Sequence, residues 1–195
     1  MLSPKGLSPY FFRGTDLWET VVQATLQDIG CALDFIHGRG NYHGDVKDLI
    51  VVKYKDGNLE AKLTDFGSAR RTGEEMNRLI GTPAFAHKHL HEKSKWHCKA
   101  QYELTSLGFT LVTILNGGIV PWAGFSRKPE GDDILKKLAK TRQEAAKEIL
   151  TKDGSFLSLS DQKRVQGLLD TEDATLSRNE DPIDELSPPG KTSFG

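Results

Sequence analysis

Between Glu103 and Asn116 the apolar residues Leu104, Leu107, Phe109, Leu111, Val112, Ile114 and Leu115 fall on almost every side of a helix. A surface helix keeps a polar stripe, whereas one that is apolar nearly all round is stable only when other elements enclose it. The chain is thereby committed to a fold that buries this helix. Gly117-Gly118 ends it and Pro121-Trp122 follows. With 195 residues the chain can enclose such a helix as one domain, or as one lobe of a larger one.

The remaining segments supply the enclosure. Pro4, Gly6 and Pro9 break the first dozen residues into a loop or short strand. Over 16–37, Leu17, Val21, Ile29, Leu33 and Ile36 recur at helical spacing. Thr15 is the expected N-cap, Asp16 and Glu19 suit the positive end of the dipole, and Gly38 and Gly40 stop the helix. Two β-type runs, 49–54 and 59–64, flank Asp56-Gly57-Asn58, a strong hairpin signal. Residues 67–99 show no sustained period and read as a long loop of the functional kind. An amphipathic, charge-rich helix is expected over 132–150, its alternating charges forming a solvated face. A last helix over 160–170 carries Val165, Leu168 and Leu169 on its apolar side. From Thr171 the chain is polar and Pro-containing and reads as a disordered tail.

Composition narrows the function classes. The net charge of −1 argues against a nucleic-acid binder working by bulk electrostatics, while leaving room for local basic patches. No apolar run reaches the roughly 18 residues of a membrane span, and the first residues do not form a secretory signal. Cys31 and Cys98 are too few for a disulfide framework and suit a reducing compartment. The expectation is an intracellular protein, cytoplasmic or nuclear, with neither membrane nor nucleic acid as partner. Cys31, within the apolar-spaced helix, reads as a core residue, and Trp122 and Phe125 as packing residues. His87, His89, His91, His97 and Cys98 crowd together, but their spacing matches no common zinc module.

The chemistry-bearing residues are few and ordered. His43-Gly44-Asp45-Val46-Lys47 puts an aspartate and a lysine on one short loop after the first helix. Asp65-Phe66-Gly67 puts a second aspartate at the far end of the hairpin. Phosphoryl transfer needs this layout, with one carboxylate near the attacking hydroxyl and another on the metal that holds the phosphates.

These motifs resemble the protein kinases. His43 to Lys47 is similar to their catalytic loop, and Lys62-Leu63-Thr64-Asp65-Phe66-Gly67 to their metal-binding segment. Gly81-Thr82-Pro83-Ala84-Phe85 resembles the end of an activation segment, Glu103 to Gly108 the start of the buried central helix, and Pro121-Trp122 a pair kinases often carry there. The order of these five markers, over roughly 15–122, carries the resemblance; the casein kinase 1 type is nearest in flavour. The implied fold is mainly α with a small β-hairpin, a kinase-like C-terminal lobe whose N-terminal β lobe is missing. Residues 1–14 would be a hinge-like segment, 15–170 the lobe and 171–195 the tail.

The resemblance implies ATP and Mg²⁺ as cofactors and a protein Ser/Thr substrate. Asp45 would accept the hydroxyl proton, Lys47 would steady the transferring phosphoryl group and contact the nucleotide, and Asp65 would bind Mg²⁺. His43 would be a loop anchor. Departures from the pattern matter too. Gly44 stands where many kinases carry an arginine that pairs with a phosphorylated activation loop, so activation should not depend on that pairing. The second metal ligand, an asparagine in the family, is replaced by Ile50, or its place is taken by Asp48 in a shortened loop; both alignments stand. His87-Lys88-His89 replaces Ala-Pro-Glu, and Glu103 replaces an aspartate that props the catalytic loop. Nothing before Thr15 provides a glycine-rich loop or a lysine-bearing strand. The chain alone is therefore expected to be weak or inactive, and a non-catalytic kinase-like interaction scaffold, pseudokinase-like or truncated, is the alternative.

Overall fold

The computed structural model describes residues 6–47, 51–55, 58–92, 95–122, 132–151 and 157–174. Among these residues five helices dominate, α1 (Trp18–His37), α2 (His89–Glu92), α3 (Ala100–Leu115), α4 (Asp132–Thr151) and α5 (Leu159–Ala174). Six short strands among them form three separate antiparallel pairs: β1 (Asn41–Tyr42) with β4 (Arg70–Arg71), β2 (Val51–Lys55) with β3 (Asn58–Lys62), and β5 (Glu75–Met76) with β6 (Trp96–His97).

Helix α3 is the enclosed element. Leu107, Phe109, Leu111, Val112 and Ile114 are at most 1% exposed. Val22, Leu26, Ile29 and Leu33 of α1, Leu138, Ala146 and Leu150 of α4, and Val165 and Leu169 of α5 complete its surroundings. Truncating one such leucine to alanine typically costs about 2–5 kcal/mol. Trp122 closes the lower end, packed edge-to-face on Phe109 at 5.1 Å, with its indole N–H donating 2.7 Å to the Ala84 carbonyl. Phe125 and Asp48 lie outside the described residues.

Several boundaries move for local reasons. Within the first dozen residues, read as a loop or short strand, Pro9–Phe12 close a 3-10 turn. Helix α1 starts at Trp18, because Thr15 spends its hydroxyl on the preceding turn, donating to Phe12 O at 2.7 Å and accepting from Leu17 N at 3.3 Å. The hairpin pairs Lys55 with Asn58, so Asn58 belongs to the second strand. The amide of Ala61 donates 2.9 Å to Asp28 Oδ2 and fixes the hairpin to α1. Segment 67–99 is not one loop. It holds β4, β5, α2 and β6 over a second core of Tyr42, Met76, Ile80, Ala86, Leu90, Trp96, Cys98 and Tyr102.

Helix α5 runs past Asp170 to Ala174. Ser158 caps its start, its Oγ accepting from Asp161 N at 3.1 Å and donating to Asp161 Oδ2 at 2.6 Å. Cys31 is exposed, contrary to the core expectation, since Val22, Leu26, Ile29 and Leu33 take the inward face of α1 and position 31 turns away from it. On α4 the alternating charges are not all solvated. Arg142 is fully buried, donating 2.7 Å to Ala86 O with its guanidinium 4.5 Å from the Phe109 ring. Among the described residues no helix is long and apolar enough to cross a membrane.

Candidate active site

The loop after β1 is built on one buried carboxylate. Glu103, in the first turn of α3 and 1% exposed, accepts from His43 N at 2.9 Å and Gly44 N at 2.6 Å. Its Oε2 also meets His37 Nε2, at the last residue of α1, at 2.7 Å. Burying a carboxylate is costly unless donors surround it, and here two amides and an imidazole do so. The extra methylene of glutamate brings the carboxylate from α3 to both α1 and the loop. The same charge raises the Tyr42 phenol well above its ordinary pKa, after burial, the larger cause.

His43 is fully buried and tied at both ring nitrogens. Nδ1 accepts from Asp45 N at 3.3 Å, so Nε2 carries the proton and donates to Thr64 O at 2.9 Å. The imidazole therefore couples the Asp45 loop to the residue preceding Asp65 and is committed as an anchor. Its ring packs edge-to-face on Phe66 at 4.7 Å.

Asp45 and Lys47 stand together at the rim. Lys47 Nζ lies 2.7 Å from Asp45 Oδ2 and 2.7 Å from Thr82 Oγ1, while Thr82 N donates 2.9 Å to Asp45 Oδ1. Both side chains are partly open, 13% for Asp45 and 21% for Lys47. A carboxylate can accept about four hydrogen bonds, so Asp45 retains capacity for an incoming hydroxyl. Two glycines let these segments meet. A Cβ on Gly81 (φ 80°) would sit 2.3 Å from Gly44 O, and one on Gly44 (φ 89°) 2.4 Å from Ser68 O. The place from which an arginine side chain would project is thus filled by the Ser68 backbone.

Asp65 is exposed and has φ 60°, the one non-glycine positive φ among the described residues. Such a backbone costs of order 1–3 kcal/mol and persists where surroundings enforce it. Its Oδ1 accepts from Gly67 N at 3.3 Å, stapling the turn. A single exposed carboxylate suits Mg²⁺, which is held by one or two carboxylates together with phosphate oxygens and water. Among the described residues no group of three or more His, Cys, Asp and Glu side chains could hold a metal by itself, and the His87–Cys98 cluster forms no such group. Instead His87 and His89 pack on the Tyr102 ring at 4.7 and 5.8 Å. Burial raises the Cys98 thiol to about 11.

His37 and Arg142 are contributors that motif reasoning passes over, and Thr82, visible as part of the Gly81-to-Phe85 motif, owes its partners to the fold. Thr82 meets Asp45 across 37 residues, which no local pattern reveals. Arg142 did carry a signal, since it falls on the Leu138, Ala146 and Leu150 stripe of α4 and a cation there has to be buried. It now holds the carbonyl of Ala86, next to the His87-Lys88-His89 replacement.

The family model described as protein kinase domain matches residues 4–173. A serine/threonine-protein kinase, zyg-8 of Caenorhabditis elegans, is 34% identical over 94 residues, covering 46% of this chain and 12% of that protein. Serine/threonine-protein kinase SBK1 of Mus musculus is 39% identical over 64 residues, 33% of this chain and 15% of its own length. Mitogen-activated protein kinase kinase kinase 17 of Arabidopsis thaliana is 30% identical over 121 residues, 62% and 31% respectively. The matched part thus spans less than a third of each of these relatives. The His43–Lys47 and Asp65–Gly67 segments lie inside the residues the family model matches, and that match takes in most of the chain. The chain belongs to the protein kinase domain family.

Proposed function

We propose that this chain is the C-terminal lobe of a protein Ser/Thr kinase, with 1–14 as its hinge-like segment, and that Asp45, Lys47 and Asp65 carry its chemistry. The observation behind this is the Asp45–Lys47–Thr82 cluster, a partly open carboxylate beside a cation on a buried support. Bound Mg²⁺ would supply charge neutralisation at the nucleotide phosphates. Asp65 is the residue to hold it, with Asp48 as the second carboxylate if the loop is short. Asp45 takes the proton from the substrate hydroxyl as that oxygen bonds to the γ-phosphorus and the bond to the β-phosphate oxygen breaks. Lys47 balances charge on the transferring group. Serine and threonine are favoured over tyrosine by Lys47 in the loop and Gly81-Thr82 opposite it. A casein kinase 1 likeness rests on the Leu104 to Gly108 run preceding Pro121-Trp122; the relatives named above are other Ser/Thr kinases. An intracellular setting accompanies this assignment.

A second assignment, a non-catalytic kinase-like scaffold, draws on a different observation. Phe66 is 52% exposed beside Asp65, an apolar ring open to a partner on the face where a nucleotide-covering lobe would sit. Phosphate transfer from ATP–Mg²⁺ to serine peptides separates the two. Transfer by the chain, reduced by about 10²-fold or more in Asp45→Asn, supports the kinase assignment; equal incorporation in both proteins sinks it.

A further inference from the structure

The basic charge of this chain is concentrated in the segment that holds Thr82. Residues 66–99 carry seven Lys and Arg against three Glu, although the whole chain is at −1. Two of those glutamates already have partners within the segment, Glu75 with Lys95 at 2.9 Å and Glu74 with Arg70 at 3.9 Å. Exposed cations remain at Arg71, Arg78 and Lys99. Of these, Arg78 is nearest in sequence to Thr82, which touches both Asp45 and Lys47.

The backbone at Arg78 is fixed, so its side chain projects from a rigid base. Met76 and Ile80, two residues to either side, are each 8% exposed. The Arg78 carbonyl accepts the Trp96 indole N–H at 3.3 Å. Just upstream, Glu75 and Met76 pair with His97 and Trp96, and that ribbon is extended by Gly73 N to Cys98 O at 2.8 Å and Cys98 N to Glu74 O at 3.1 Å. Thr82 lies four positions after Arg78, at most roughly 14 Å of chain. A peptide with its hydroxyl at Asp45 has its own residues three or four positions away at a similar distance.

We propose that Arg78 selects acidic substrates, pairing with a carboxylate placed a few residues from the phosphoacceptor serine or threonine. This rests on the kinase assignment for the location of the hydroxyl and deepens it by naming the substrate class. The guanidinium fork matches a carboxylate with two parallel hydrogen bonds, and the ordered backbone reduces the entropy lost on pairing.

The test is fluorescence anisotropy on the full chain with two labelled serine peptides, one flanked by glutamates and one by lysines. At low salt the acidic peptide should bind about tenfold more tightly, the advantage shrinking as salt is raised. Arg78→Glu should weaken acidic-peptide binding about fivefold or more and strengthen the lysine peptide, with Arg78→Gln between. Lys163→Glu, the same charge change at an exposed site on α5, should leave the preference within about twofold. Equal affinities, an Arg78→Glu effect no larger than that of Lys163→Glu, or displacement by a short oligothymidylate at equal concentration would overturn the inference. Circular dichroism of each variant separates lost binding from lost fold. Transfer without charge preference overturns this inference and leaves the kinase assignment standing; equal incorporation by wild type and Asp45→Asn sinks both, because it removes the hydroxyl site on which the role of Arg78 depends.

Discussion

Replacing Glu103 by glutamine keeps its shape and removes its charge, so it isolates what the buried carboxylate does. The carboxylate presents Oε1 to Gly44 N at 2.6 Å and Oε2 to His43 N at 2.9 Å and His37 Nε2 at 2.7 Å. Glutamine has one carbonyl oxygen and one NH₂. If the oxygen replaces Oε2, the NH₂ faces the Gly44 amide, two donors in contact; the opposite flip opposes the NH₂ to the His43 amide. Each buried donor left without an acceptor costs about 1–3 kcal/mol, so Glu103→Gln should cost about 2–4 kcal/mol. For a chain of this size 1 kcal/mol moves the midpoint by about 2–4 °C, giving an expected fall of about 5–15 °C. Thermal unfolding followed at the helix band of circular dichroism measures this directly. A fall below about 2 °C would refute the reasoning, because it would mean that the loop amides are satisfied without Glu103.

Other outcomes follow from single sites. Gly44→Ala should destabilise by about 2 kcal/mol or more in urea unfolding, because it combines φ 89° with a Cβ 2.4 Å from Ser68 O. In the native chain a thiol reagent should modify exposed Cys31 alone; buried Cys98, its thiol raised to about 11, should react only once urea unfolds the chain. Hydrogen bonds from Ser158 and then Gln23 hold the Asp161 carboxyl below its usual pKa. Its stabilisation is therefore present above the unfolded carboxylate range and lost as pH falls through the lower folded value. Asp161→Asn should thus cost up to about 1 kcal/mol near neutrality, and the gap between variant and wild type should close as pH drops below about 4.

How much of this was legible depended on the range over which each residue acts. Helix α3 announced itself because its apolar residues leave it no polar side, and the hairpin did so through Asp56-Gly57. The loop residues Asp45, Lys47 and Asp65 were visible as motifs. What brings them together was not. Thr82 reaches Asp45 and Glu103 reaches His43 over tens of residues, and such separations leave no periodic trace. The two-residue strands β4, β5 and β6 are too short for alternation to register, and their pairing partners are distant in sequence. Local misreadings had local causes. Thr15 looked like an N-cap and used its hydroxyl one turn earlier, and Cys31 shared a helix with core residues but not their face. Arg142 was legible in principle, as a cation standing on an apolar stripe.

The central claim is that Asp65 holds Mg²⁺ for a nucleotide beside Asp45 and Lys47. Titration calorimetry with ATP, with and without Mg²⁺, on wild type and Asp65→Ala tests it most directly. The account predicts weak, millimolar-range binding that requires Mg²⁺ and is lost in Asp65→Ala, with circular dichroism checking that the fold survives loss of the Asp65–Gly67 hydrogen bond. Mg²⁺-independent binding, or binding that survives Asp65→Ala, would contradict it.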